Sequence, residues 1–327
     1  MRDNVWKYIS MILIMLLILS AVSTTVLYFQ TSNLKAEPYN TTTVTRVESN
    51  CTYDEYELKI AELENQIRFL KSQISRPSPG NATVVVVPIF GLIDTYAALN
   101  IIPTLRNLAE NSSVSGVVLW IESPGGEVGP VIEIYNEVKK LSLLKPVVAY
   151  TGGLAASGGY YIALGADKII AAPLAEVGSI GVLYVHYNLE ENYEMNGIKV
   201  EVFKTGPHKD MGAEWRALSE DEKKQIIKTV DTYFDAFLSA FTEGRGMDRE
   251  HAKEYTTGEV WFAKEVNGTL VDDIGDVDKA ISVISEMLNV TNPRVLILSS
   301  GGAREFSVYG STALFMDPRY LSPYLRG

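Results

Sequence analysis

The first apolar run, Tyr8 to Phe29, carries no charged residue and matches the roughly 20 residues that cross a bilayer as a helix. It predicts a membrane anchor. Arg2 and Lys7 precede it and Lys35 is the first charge after it, so the positive-inside tendency favours a cytoplasmic N-terminus with the rest of the chain outside. A cleavable signal peptide is the competitor, but its apolar core usually runs only about 7 to 15 residues. Thr31 to Asn50, rich in Ser, Thr and Asn without an apolar period, reads as a solvated tether. Tyr53, Tyr56, Ile60, Leu63, Ile67, Leu70 and Ile74 then alternate spacings of three and four, a heptad seam that either pairs between subunits or packs on the following domain. Arg76-Pro-Ser-Pro-Gly-Asn81 breaks this helix and marks a boundary.

From Thr83 the pattern changes to short β-branched runs separated by helical spacings. Val84–Val87, Val114–Ile121, Pro146–Tyr150, Lys168–Ala172 and Lys199–Phe203 read as strands, and Tyr96–Ala109 and Val131–Leu141 as helices. This alternation predicts an α/β fold with a mostly parallel sheet. A long amphipathic helix opens with the capping box Ser219-x-x-Glu222, shows Ile226, Val230, Phe234 and Phe237 on one face, and stops near Gly244. The expected divisions are an anchor over 1–30, a tether over 31–52, the heptad-patterned helix over 53–75, the α/β domain over 76–289 and an irregular, aromatic-rich tail over 290–327.

Composition narrows the function. A net charge of -11 and a pI near 4.9 exclude nucleic acid as a partner class, because phosphate binding needs a basic surface. The single Cys51 excludes an intramolecular disulfide framework, leaving a free thiol or an interchain bridge. His186, His208 and His251 are scattered without metal-ligand spacing, so no metal and no other cofactor is expected. Sequons at Asn40, Asn50, Asn81, Asn111, Asn267 and Asn289 are compatible with an extracytoplasmic location.

Two glycine-rich turns carry candidate chemistry. Gly152–Tyr161 surrounds Ser157 with small residues just before a predicted helix, where free amides favour an oxyanion. Tight helix–strand packing would use the same small residues. Glu122-Ser123-Pro124-Gly125-Gly126 follows a predicted strand and can present bare amides to a carbonyl oxygen, or form a plain tight turn. A serine hydroxyl needs a base, and His208 and Lys209 lie together in Gly206-Pro207-His208-Lys209-Asp210. Lysine serves as a base only where its ammonium is disfavoured, for example by desolvation.

On Glu122-Ser-Pro-Gly-Gly126, Ala155-Ala-Ser-Gly-Gly-Tyr160, Val177-Gly-Ser-Ile-Gly181 and Gly206-Pro-His-Lys-Asp210, the chain resembles the signal peptide peptidases of the SppA type, within the Clp protease/crotonase-like group. The resemblance runs from about Val84 to Met287. It implies a Clp protease/crotonase-like fold and a serine protease with a Ser-Lys dyad, the 76–289 stretch being its catalytic domain. Ser157 is then the nucleophile and Lys209 the general base and acid. Ser179 corresponds to the serine that orients the lysine, and the amides of Gly158 and of Gly125 or Gly126 form the oxyanion hole. Ser123 and Tyr160 are supporting motif residues. Where the family often has Asn, this chain has Glu122.

The implied enzyme is a single-pass protein of the cell membrane, its catalytic domain extracytoplasmic, that degrades cleaved signal peptides and other apolar extended peptides. It is also implied to be a ring- or dome-shaped homo-oligomer in which Lys209 can reach Ser157 of a neighbour. The alternatives are a membrane peptidase for one partner such as a stomatin-like protein, and a non-catalytic scaffold. A Ser-His-Asp triad would need His186 as base, which reads better as structural. Crotonase-type acyl-CoA chemistry needs neither the serine nor a membrane tether.

Overall fold

The computed structural model describes Lys59, residues 82–298 and the strand Ala313–Met316. The expected anchor and tether, and all of the heptad-patterned helix but Lys59, lie outside the described residues. No helix among the described residues is long and apolar enough to cross a membrane.

The centre is a six-stranded sheet of β1 (Thr83–Phe90), β2 (Gly116–Glu122), β4 (Val147–Thr151), β6 (Lys168–Ala171), β10 (Asp273–Ile274) and β11 (Arg294–Ile297). Its order is β10-β6-β4-β2-β1-β11 and every adjacent pair is parallel. Parallel strands are covered on both faces, so they must be apolar without interruption. Val84, Val85, Val86 and Val87 are accordingly all buried. Successive side chains still alternate between faces. Val85, Val87 and Ile89 enter a core with Leu105, Ile134, Tyr160, Phe237 and Phe241, whereas Val84 and Val86 meet Ala280, Ile284 and Leu288 on the other side.

The covering helices begin where their caps allow. In α1 (Thr95–Glu110) the Asp94 carboxylate accepts from Ala97 N–H at 2.8 Å. Between β2 and β4 the chain forms the short β3 (Gly125–Glu127) and α2 (Val128–Leu144). After β4 come β5 (Leu154–Ala156) and the one-and-a-half-turn α3 (Gly158–Ala163), then β6, β7 (Glu176–Gly178), β8 (Leu183–Tyr184) and α4 (Glu190–Met195). The long α5 (Glu220–Arg245) carries the expected capping box, with Glu222 N–H donating to Ser219 Oγ and Ser219 N–H donating to the Glu222 carboxylate. It ends just past the expected stop, with Gly246 in the left-handed conformation. Then follow α6 (Arg249–Ala252), β9 (Val260–Phe262), β10 and α7 (Val277–Leu288), whose Asn289 cap is also left-handed.

Two expectations are corrected. Lys199–Phe203 is not a strand: its residues have no regular structure, and Val200, Val202 and Phe203 are exposed. Alternation alone does not make a strand; its amides need a neighbouring edge, and this segment has none within the described chain. The tail is not wholly irregular, because Arg294–Ile297 adds to the sheet edge as β11, parallel to β1. A second tail strand, β12 (Ala313–Met316), lies antiparallel between β3 and β8.

Phe237 on α5 is fully buried and its ring packs 4.8 Å from that of Tyr161, on the helix that follows Ser157. Phe237→Ala should therefore cost about 3–5 kcal/mol of stability. Denaturant titration should show a lowered midpoint with an unchanged slope; a midpoint equal to wild type would contradict this packing.

Candidate active site

The two glycine-rich turns come together at the carboxyl ends of the parallel strands, where open α/β sheets gather their ligand sites. Backbone bonds stitch them: Ser123 N–H donates to Leu154 O (2.8 Å) and Ala156 N–H donates to Ser123 O (3.0 Å). Next to this seam β5 pairs in parallel with β7, Ala156 opposite Gly178. Ser157 and Ser179 leave the ends of these two strands together, and Ser157 N–H donates to Gly178 O at 2.7 Å. Both serines have a positive φ, 51° and 50°, which is uncommon outside glycine and costs on the order of 1–3 kcal/mol. Both are also nearly buried, at 1% and 4% exposure. The Ser157 hydroxyl has no hydrogen-bond partner among the described residues. Gly158 opens α3, whose first amides have no intrahelical acceptor.

The two glycines have different partners. Gly125, with φ 105°, donates its N–H to Ser123 Oγ at 3.1 Å, so that amide is already engaged. Gly125 O accepts from Ile93 N–H and Glu127 N–H donates to Ile93 O, which turns the Gly126 amide to the opposite side of the strand. That side is where β12 pairs, Phe315 opposite Gly126. A Cβ on Gly126 would stand 1.9 Å from Ile93 O, so only glycine fits.

The remaining predicted residues divide. Ser123 is fully buried and shapes its own turn through the Gly125 bond. Tyr160 is fully buried and donates its hydroxyl to Leu270 O at 2.8 Å, and burial pushes its pKa well above the usual tyrosine value. It therefore acts as a core anchor for α3. Lys209 is not brought to Ser157: it is exposed on a turn, and its ammonium has no hydrogen bond or ion pair among the described residues. Both ring nitrogens of His186 are buried without a hydrogen-bond partner among the described residues, Ser157 included. His208 Nε2 lies 3.4 Å from Gln225 Nε2, at the surface. Among the described residues no cluster of three acidic, His or Cys side chains could hold a metal.

Two features were not visible in the motifs. The Glu122 carboxylate reaches across to the amides of Gly152, Gly153 and Leu154. The signal for it was Glu122 itself, at a position where the resembled family often has Asn. The Lys209 turn, in turn, is fastened by its neighbour Asp210, which accepts from Arg216 Nε (3.1 Å), Arg216 Nη2 (2.7 Å) and Lys204 Nζ (2.6 Å). Arg216 also grips Glu222 with a bidentate pair at 2.8 and 2.6 Å, tying the turn to the N-cap of α5. Hydrogen bonds from Arg216 and then Lys204 hold the Asp210 carboxyl far below the usual range, and Arg216 and then Ser219 hold Glu222 down to about 2.

Because both carboxyls titrate lower in the folded chain than in the unfolded one, their stabilisation is present above their ordinary values. It is lost as pH falls toward the folded ones. Arg216→Ala raises those folded values, so acid unfolding followed by tryptophan fluorescence should move to higher pH than in wild type. An unchanged acid midpoint would contradict the network.

The sequence matches known proteins over this region. The profile of peptidase family S49 matches residues 139–291, and that of Clp protease residues 83–177. A putative protease of Methanocaldococcus jannaschii is 34% identical over 197 residues, covering 59% of this chain and 62% of the relative. A putative signal peptide peptidase SppA of Enterococcus faecium is 33% identical over 205 residues, covering 62% of this chain and 60% of its own. The chain thus spans less than two thirds of the length of these two relatives. A putative protease of Synechocystis is 32% identical over 195 residues, covering 59% of this chain and 70% of its own. With the serine, the paired glycine turns and these relatives in agreement, the chain belongs to peptidase family S49, among peptidases of the SppA type.

Proposed function

We propose that this chain is a membrane-anchored serine endopeptidase that degrades cleaved signal peptides through a dyad of Ser157 and Lys209. The observation that carries the reading is the β5–β7 pairing, which delivers Ser157 and Ser179 side by side against the stitched Gly125–Gly126 turn. In this reading Ser157 Oγ attacks the scissile carbonyl carbon while its proton passes to the neutral Lys209 amine. The amides of Gly158 and of Gly125 or Gly126 take the oxyanion. Collapse breaks the C–N bond, and Lys209 returns the proton to the leaving amine. Water, deprotonated by Lys209, then hydrolyses the ester on Ser157. Ser179 orients the Lys209 amine.

Peptide substrates fit the strand geometry. Gly125–Glu127 and Leu183–Tyr184 both pair with the extended segment Ala313–Met316 lying antiparallel between them. A substrate bound there would be held by main-chain hydrogen bonds, which suit apolar chains offering few polar side-chain handles. The apolar run Tyr8–Phe29 supplies the anchor that brings such a site to the membrane. Lys209 stands exposed and without a hydrogen bond or ion pair among the described residues, which supports a homo-oligomer in which it serves the Ser157 of a neighbouring copy.

Ser157→Ala and Lys209→Ala should each abolish hydrolysis of a peptide ester by the full-length chain, and mixing the two inactive proteins should restore activity. Wild-type activity should rise with pH as Lys209 loses its proton. Full activity in either variant, or a pH profile flat from acid to alkaline, would sink the dyad; a mixture that stays inactive would sink its sharing between subunits.

A further inference from the structure

Glu122 closes β2, and its side chain leaves the sheet to cap the neighbouring turn. Oε1 accepts from Gly152 N–H at 2.7 Å and from Trp120 Nε1–H at 2.9 Å. Oε2 accepts from Gly153 N–H at 3.0 Å and from Leu154 N–H at 2.9 Å. One carboxylate thus satisfies three consecutive amides of the segment that leads into Ser157. The fit is close, since a Cβ on Gly152 or Gly153 would meet the carboxylate at 3.2 or 3.1 Å. Trp120 holds the carboxylate from behind and is itself fixed edge-on between Phe90 and Tyr150, with ring centroids 5.8 and 5.7 Å away. Only a carboxylate can do this: an ionised acid accepts at both oxygens, whereas a side-chain amide has one acceptor and would push an N–H at the backbone donors.

We infer that Glu122 is a positioning residue for Ser157. It sits on the strand that runs into the Gly125–Gly126 turn and grips the turn that runs into the nucleophile. The carboxylate therefore sets the separation between the attacking oxygen and the Gly125–Gly126 turn. The Ser123 backbone bonds align the two turns along the strand direction, and the Glu122 carboxylate closes the outer edge of the same unit. The inference rests on Ser157 acting as nucleophile.

The test uses full-length wild type, Glu122→Gln, Glu122→Ala, Glu122→Asp and Ser157→Ala. Hydrolysis of a small peptide ester is read as kcat and KM, and amide hydrogen exchange is read over residues 150–156. Glu122→Gln should exchange faster at Gly152, Gly153 and Leu154. Its kcat should fall about tenfold or more, since small misplacements of reacting groups are costly, while KM stays within about twofold. Glu122→Ala should fall further, and Glu122→Asp, which keeps the charge on a shorter stem, should recover part of the loss. The inference is overturned if Glu122→Gln and Glu122→Ala keep wild-type kcat, if only KM changes, or if both simply unfold. A wild type no faster than Ser157→Ala removes the nucleophile and with it any role for Glu122. An active wild type matched by Glu122→Gln removes the Glu122 role alone.

Discussion

Everything at the carboxyl end of the sheet depends on the seam between Ser123 and the Leu154–Ala156 segment. Backbone bonds on both sides of Ser123 join two turns that are distant in sequence, so that neither can move without the other. The seam explains the small residues around it. Gly159 must be bare because a Cβ there would stand 2.8 Å from Ser123 O, and Gly126 must be bare because Ile93 O occupies that space. Close backbone approach, rather than freedom of φ, is what selects glycine at these two positions. It also lets Ser157 be held in an unfavourable conformation, because the surrounding bonds over-determine it.

The two halves of the proposed dyad are anchored differently. Ser157 is embedded in a rigid unit of short strands backed by the aromatic packing of Tyr161 on Phe237 and Tyr135, at centroid separations of 4.8 and 4.9 Å. Lys209 rides on a surface turn that the Asp210–Arg216–Glu222 chain ties to the head of α5. The segment leading to it exposes Ile198, Val200, Val202 and Phe203, a strand-like alternation with no pairing strand among the described residues. Serine chemistry that needs a base from such a segment is naturally coupled to association, since burial against a neighbour would both order the turn and desolvate the ammonium.

The large elements were legible because their signals are local. β1, β2, β4 and β6 are short, largely apolar runs rich in Val and Ile, as strands buried on both faces tend to be, and α5 announces itself by a capping box that the structure reproduces bond for bond. The short strands β3, β5, β7, β8, β9 and β10 span only two or three residues and carry no periodicity to read. Lys199–Phe203 carried the right alternation and still failed, because strand formation is decided by a partner edge. In the candidate site, the motifs singled out Ser157, Ser179 and the glycines, and the structure brings the turns that carry them together. Tyr160, which belongs to the same motif, proved to be a core anchor, and Glu122 was readable only as an oddity. Its bonds are side chain to backbone across distant turns, which leave no repeating trace in the sequence.

The most direct test of the account is covalent trapping of the nucleophile. The full-length chain is treated with a fluorophosphonate, which transfers its phosphonyl group to an activated serine oxygen with loss of fluoride, and the adduct is located by peptide mass mapping. The account predicts one adduct, on Ser157, with Ser179 unmodified and labelling abolished in Lys209→Ala. Labelling of another residue, or continued peptide hydrolysis with Ser157 replaced, would contradict it.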